Sequence, residues 1–121
     1  MLINDFFYTR CINNEEGSVK ATLEINPAHS IFAGHFPGQP VVPGVCMVQI
    51  IKEVLEGVLG RSLQLQKADH IKFLSMIVPE EHTVIEASIA YSSDASGISV
   101  VAVLTKGGTV CLKLKGSFVV V

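Results

Sequence analysis

The chain has 121 residues, of which 49% are hydrophobic and 17% charged, and its formal net charge is −2. That length suits one domain spanning residues 1–121, able to bury roughly two-thirds of its unfolded surface without a disulfide or metal staple, and the composition excludes a disordered chain. The nine basic residues are spread along the chain with no stripe of Lys and Arg, so nucleic-acid binding has no electrostatic support.

Three cysteines, Cys11, Cys46 and Cys111, make an odd number without CxxC spacing, the pattern of free thiols in a reducing compartment. The start, MLINDFFYTR, lacks the basic and apolar regions of a secretory signal, and no apolar run approaches the ~20 residues of a membrane span. The expectation is a soluble cytoplasmic protein without a membrane span.

Residues 1–26 read as a hairpin. DFFYTRCI is aromatic and β-branched, NNEEG is a polar turn, and VKATLEI alternates Val19, Ala21, Leu23 and Ile25 against Lys20, Thr22 and Glu24. NPAHS ends the second strand, because Pro27 removes a donor and Asn26 favours a turn. Residues 34–44 hold too many glycines and prolines for a regular element and predict an ordered loop. Pro43 suits the first helical position, and VCMVQIIKEVLEGVLG predicts a helix of about four turns over 43–58, stopping near Gly57 or Gly60. Only Gln49, Lys52, Glu53 and Glu56 interrupt its apolar surface, in one narrow stripe, so the helix is expected to be wrapped by other structure. Strands follow. LQLQKADHIKFLSMIV runs long until Pro79, and residues 83–92 alternate. ISVVAVLT and TVCLKLKGSFVVV flank the tight turn KGG, with Val110, Leu112 and Leu114 facing one way and Lys113 and Lys115 the other. Strands joined by short turns predict an antiparallel meander, so the fold class is α+β: one long helix enclosed by a curved antiparallel sheet.

That element order, together with GHFPGQPVVPGV over Gly34–Val45, resembles the hot-dog fold, and within it the β-hydroxyacyl-ACP dehydratases of the FabZ and FabA type, whose loop reads GHFPG-x-P-x-x-PGV. The resemblance covers essentially the whole chain. It implies a lyase that removes water from 3-hydroxyacyl thioesters in fatty-acid or related acyl-chain synthesis. It further implies acyl-ACP or acyl-CoA as substrate and a homodimer or higher homo-oligomer with its site at the subunit interface. No metal or organic cofactor is implied. Such chemistry needs a base for the C2 proton, a donor for the thioester oxygen and an acid for the leaving hydroxyl. An imidazole is suited to the first, and the family assigns it to the position of His35. Amides of an open helix start suit the second, and the family uses the backbone N–H matching Gly44. Phe36, Val45 and Phe73 stand as contributors to an apolar acyl tunnel.

The departure lies in the acid. The family carries Glu or Asp fourteen residues after its histidine, and here that position is Gln49. An amide does not ionise and cannot deliver a proton to a leaving group. Read as residues alone, His35 could equally shape its loop, Gly44 permit close packing, Gln49 satisfy buried backbone, and Glu53 be a solvated or interface carboxylate. Glu53 acting through a water is the further alternative for the acid. His29 reads as structural, Cys46 as a small buried hydrophobe, and His70 and His82 stand near strand ends without metal-ligand spacing. Three functions therefore stay open: a dehydratase with Gln49 in place of the acid, a non-catalytic acyl-binding subunit paired with an active paralogue, and a hot-dog thioesterase.

Overall fold

The computed structural model describes residues 2–34 and 38–121; His35 and Phe36 lie outside them. Strands β1 (Phe7–Glu15) and β2 (Ser18–Ile25) form the first hairpin. The short helix α1 (Ile31–Gly34) and the long helix α2 (Gly44–Leu59) follow, then β3 (Leu63–Phe73), β4 (Val84–Asp94), β5 (Gly97–Lys106) and β6 (Thr109–Val120). The six strands make one sheet in the order β1-β2-β4-β5-β6-β3, antiparallel at every pairing. Helix α2 thus carries the chain from β2 to β3 at the far edge, and β4 returns to the side of β2.

The register explains how the sheet takes the helix. One row on its inner face runs Ala21, Ala87, Leu104, Leu112 and Phe73 across β2, β4, β5, β6 and β3; the next runs Val19, Ile89, Ala102, Leu114 and Ile71. Alanines in the middle of these rows leave room, and Met47, Ile50, Ile51, Val54 and Leu55 of α2 fill it as buried core. Burying such side chains contributes about 1.5–3 kcal/mol each. The outer face carries the alternate residues: Lys20, Ser88, Val103, Lys113 and Lys72 form one row.

Five expectations change. Pro43 is the N-cap, not the first helical residue, and α2 extends one residue beyond the expected end to Leu59. Residues 31–34 form a helical turn ahead of the loop, with His29 Nδ1 accepting the Ile31 N–H at 3.1 Å. Strand β3 ends at Phe73 and not at Pro79, because the Leu74 N–H bonds to the Cys111 carbonyl and the Val42 N–H takes the Ile77 carbonyl, turning the chain toward the helix start. In β6 the alternation breaks at a bulge where Leu104 pairs Leu112 and Thr105 pairs Val110, so Cys111 is buried beside Leu112.

Close approach requires glycine at Gly116, where an added Cβ would collide with the Lys67 carbonyl of the adjacent bulge in β3. His70 lies inside β3, paired with Lys115, and not at a strand end.

Candidate active site

The start of α2 is open. Pro43 has extended backbone (φ −61°, ψ 144°) and no side-chain oxygen with which to cap. Its carbonyl accepts the N–H groups of Cys46 and Met47 at 3.0 and 3.1 Å, whereas the Gly44 and Val45 N–H groups find no acceptor among the described residues. Together with the helix dipole, these two amides make the end of α2 a region of positive potential.

Above it lies an apolar cleft of about 620 Å³, lined by Val42, Gly44, Met47, Phe73, Leu74, Ser75 and Met76. Phe73 is the end of an inner-face row, and its ring lies against Gly44: a Cβ there would sit 2.8 Å from the ring's Cζ. The glycine is what lets the tip of the ring approach the helix start so closely. Of its apolar lining, Met76 is 72% exposed and Phe73 54%, with Leu74 also exposed; Val45, 76% exposed, and Val78 are exposed nearby in sequence but do not line it. Leu74 and Met76 did not stand out in the sequence, because the run FLSMIV reads as a continuing strand; Pro79 and the loss of alternation were the available signals.

Gln49 lies one turn further along. Its Nε2 donates to Glu53 Oε2 at 2.7 Å. With the amide nitrogen donating to Glu53, the amide oxygen points the other way and has no partner among the described residues. Glu53 corrects the expectation of a solvated carboxylate: it is 2% exposed. Its Oε1 accepts the N–H groups of Leu2 (2.9 Å) and Ile3 (2.8 Å), and its Oε2 accepts Leu2 N–H at 2.8 Å in addition to Gln49. These contacts, from three donors with the Leu2 N–H shared between both oxygens, tie the N-terminal residues to the middle of α2, so Glu53 is a structural anchor. Gln49 therefore satisfies a buried carboxylate and not buried backbone.

The same N-terminal residues hold His29. Its Nε2 lies 3.1 Å from Asp5 Oδ2, and with Nδ1 accepting from Ile31 the ring is the tautomer that donates to Asp5. Phe6, fully buried, packs edge-on against His29 and tilted against Phe32, both at 5.3 Å between centroids. This braces α1, which directly precedes His35 in the sequence. Burial pushes the Cys46 thiol up from its ordinary value, the opposite of an activated thiolate. No group of three His, Cys, Asp or Glu residues suited to a metal occurs among the described residues.

A curved antiparallel sheet around one long helix, with an open helix start under an aromatic lid, defines the hot-dog class of dehydratase. The chain belongs to the ApeI-like dehydratase family, whose match spans residues 11–107. A chain of the dehydratase heterocomplex ApeI:P from Xenorhabdus doucetiae has the same fold, with a TM-score of 0.75 over 93% of this chain and 96% of that one at 17% identity. The 3-hydroxyacyl-[acyl-carrier-protein] dehydratase FabZ of Listeria monocytogenes is 29% identical over 84% of this chain and 76% of its own length. FabZ of Wolbachia pipientis is 25% identical over 60% of this chain, and the chain spans only 55% of that relative's length.

Proposed function

We propose that the chain is a 3-hydroxyacyl-thioester dehydratase acting on acyl groups carried by acyl carrier protein or coenzyme A in acyl-chain synthesis. In this reading the whole chain, 1–121, is one catalytic domain working in the cytoplasm. No helix among the described residues is long and apolar enough to cross a membrane. The observation that carries the proposal is the pairing of the family's loop sequence with an apolar cleft over two helix-start amides that have no acceptor among the described residues.

The chemistry follows from those groups. The Gly44 N–H would hold the thioester oxygen, where negative charge grows as the C2 proton leaves. His35 would take that proton. Gln49 cannot supply a proton to the departing hydroxyl; its amide oxygen would hold the hydroxyl, or a water beside it, by accepting a hydrogen bond. The proton that His35 removed from C2 is then the one returned to the hydroxyl, which departs as water while the C2–C3 double bond forms. A missing general acid lowers the rate by about 10²–10⁴-fold, so turnover should be slow. The exposed apolar side chains Val45, Phe73, Leu74 and Met76 support a homodimer in which His35 of one subunit faces Gln49 of the other, with Phe36, Val45 and Phe73 lining the acyl tunnel.

A second reading is favoured by the bond that commits Gln49 to Glu53: the chain binds the acyl group but does no chemistry, and an active paralogue supplies the carboxylate in a mixed dimer. Purified protein incubated with 3-hydroxyacyl-ACP and 3-hydroxyacyl-CoA, with products followed by mass spectrometry, separates the two. The dehydratase reading expects slow formation of the 2-enoyl product that His35→Ala abolishes. Binding without product, and product only on adding an active paralogue, would replace it with the second reading.

A further inference from the structure

We infer that the outer face of the β6–β3 edge is a binding site for a compact phosphate-type anion. The inference rests on charge placement alone and is independent of the dehydratase reading.

The segments HIKF and LKLK alternate, so His70 and Lys72 of β3 share the outer face with Lys113 and Lys115 of β6. The register sets Lys72 directly opposite Lys113 and His70 directly opposite Lys115. Four basic side chains thus form a two-by-two block. Like charges in directly opposed positions destabilise a sheet. The neighbouring positions on β5, Val101 and Val103, give no relief, since they oppose Lys115 and Lys113. β5 and β6 contain no acidic residue, and the one on β3, Asp69, pairs with Lys67 at 3.3 Å.

Some other cations have an acidic partner, while Lys20, Lys52 and Arg61, like the block, have none within 4.0 Å among the described residues but stand apart from one another in sequence. Arg10 has Glu24, Lys106 has Glu80 and His82 has Glu24 within 4.0 Å. Lys72, Lys113 and Lys115 have no carboxylate within that distance among the described residues. Lysines on an edge strand commonly serve to prevent edge-to-edge pairing. That accounts for Lys72 but not for Lys113 and Lys115, because β6 is an interior strand. The concentration also runs against the chain's net charge of −2.

The four side chains line a concavity of about 370 Å³ together with Val101 and Val103, which share their outer face. Ammonium groups on flexible stems converge readily on a multiply charged oxyanion, and a phosphate offers several acceptor oxygens to them at once. A bound phosphate ester or diphosphate would relieve the cross-strand repulsion. The same chemistry occurs in an inorganic phosphate and in the phosphates of a thioester carrier such as coenzyme A.

The test uses the full chain, isotope-labelled, at low ionic strength, with three probes: inorganic pyrophosphate, coenzyme A, and pantetheine without phosphate. Expected are saturable amide shifts centred on residues 70–72, 101–103 and 113–115 with pyrophosphate, and none with pantetheine. Saturation by coenzyme A at lower concentration would assign the source as a carrier; equal or weaker binding would assign it as a free phosphate. The Lys113→Gln, Lys115→Gln double variant should lose about tenfold or more in affinity, while Lys20→Gln should not. Lys72→Gln serves as a second probe from the other strand, and without ligand the lysine variants should melt no lower than the parent. Absence of saturable shifts with pyrophosphate, comparable shifts around Lys20 and Lys52, or undiminished affinity in the double variant would each overturn the inference.

Discussion

The two ends of α2 are built to opposite rules. At its C-terminus local capping devices are used: Gly60 takes the left-handed conformation (φ 66°), its N–H returns to the Glu56 carbonyl at 2.8 Å, and the Glu56 carboxylate accepts the Leu63 N–H at 2.8 Å. At the N-terminus none is. Pro43 cannot cap, Val45 projects outward, and a phenylalanine ring lies on Gly44 where a side-chain oxygen would otherwise sit. A capping residue there would add about 1 kcal/mol. Leaving it out keeps two amides and an apolar cleft for something other than the fold, and the difference separates what α2 does for stability from what it does for a ligand.

The comparison can be broken from the middle of the helix outward. Glu53→Leu should cost the most, about 3–5 kcal/mol in a urea unfolding titration, because it orphans the Leu2 and Ile3 N–H groups and the Gln49 amide at a buried position. Gly60→Ala comes next, at about 1–2 kcal/mol, since a Cβ in the left-handed region is strained; acyl binding should not change. Gly44→Ala should cost under about 1 kcal/mol, alanine being the better helix former. Its Cβ would push the Phe73 ring aside, so acyl-thioester affinity should fall while the melting temperature holds. The smallest effect is chemical. Cys11 is exposed and should react quickly with a thiol reagent, whereas buried Cys46 and Cys111, with thiols pushed up by desolvation, should react only as the protein opens. For both, the raised folded value means less thiolate at a given pH, so modification should lag that of Cys11 throughout the neutral range.

Much of the architecture was legible because alternation and helical periodicity act locally. Val19–Ile25 and Leu112–Leu114 could only face one way, and residues 38–43, rich in glycine and proline, form no regular element, although Gly34 and Gly44 close and open helices. What escaped depended on distant partners. Glu53 reads as part of a polar stripe until residues 2 and 3 arrive to bond it, fifty positions away in sequence. FLSMIV reads as strand until Cys111 and Val42 draw its backbone to the helix start. Gln49 was singled out through the resemblance alone, as an expected departure from an acid; its bond to Glu53 depends on which polar neighbour is buried, which a pattern of residue types does not encode. Phe73 and Gly44 were both singled out; their mutual contact follows from the register of β3 against β6.

The central claim is that this is a dehydratase-type site in which Gln49 stands where the acid would be. Gln49→Glu tests it most directly. The change is nearly isosteric and sets a second carboxyl where the amide now meets Glu53 at 2.7 Å. Two carboxylates so close cannot both ionise, so the pair retains a proton to higher pH, as a general acid requires. The account predicts that conversion of 3-hydroxyacyl-ACP to the 2-enoyl product rises by about 10²-fold or more over the parent chain, and that adding His35→Ala removes the gain. A folded Gln49→Glu protein that binds the thioester and shows no such rise would contradict it.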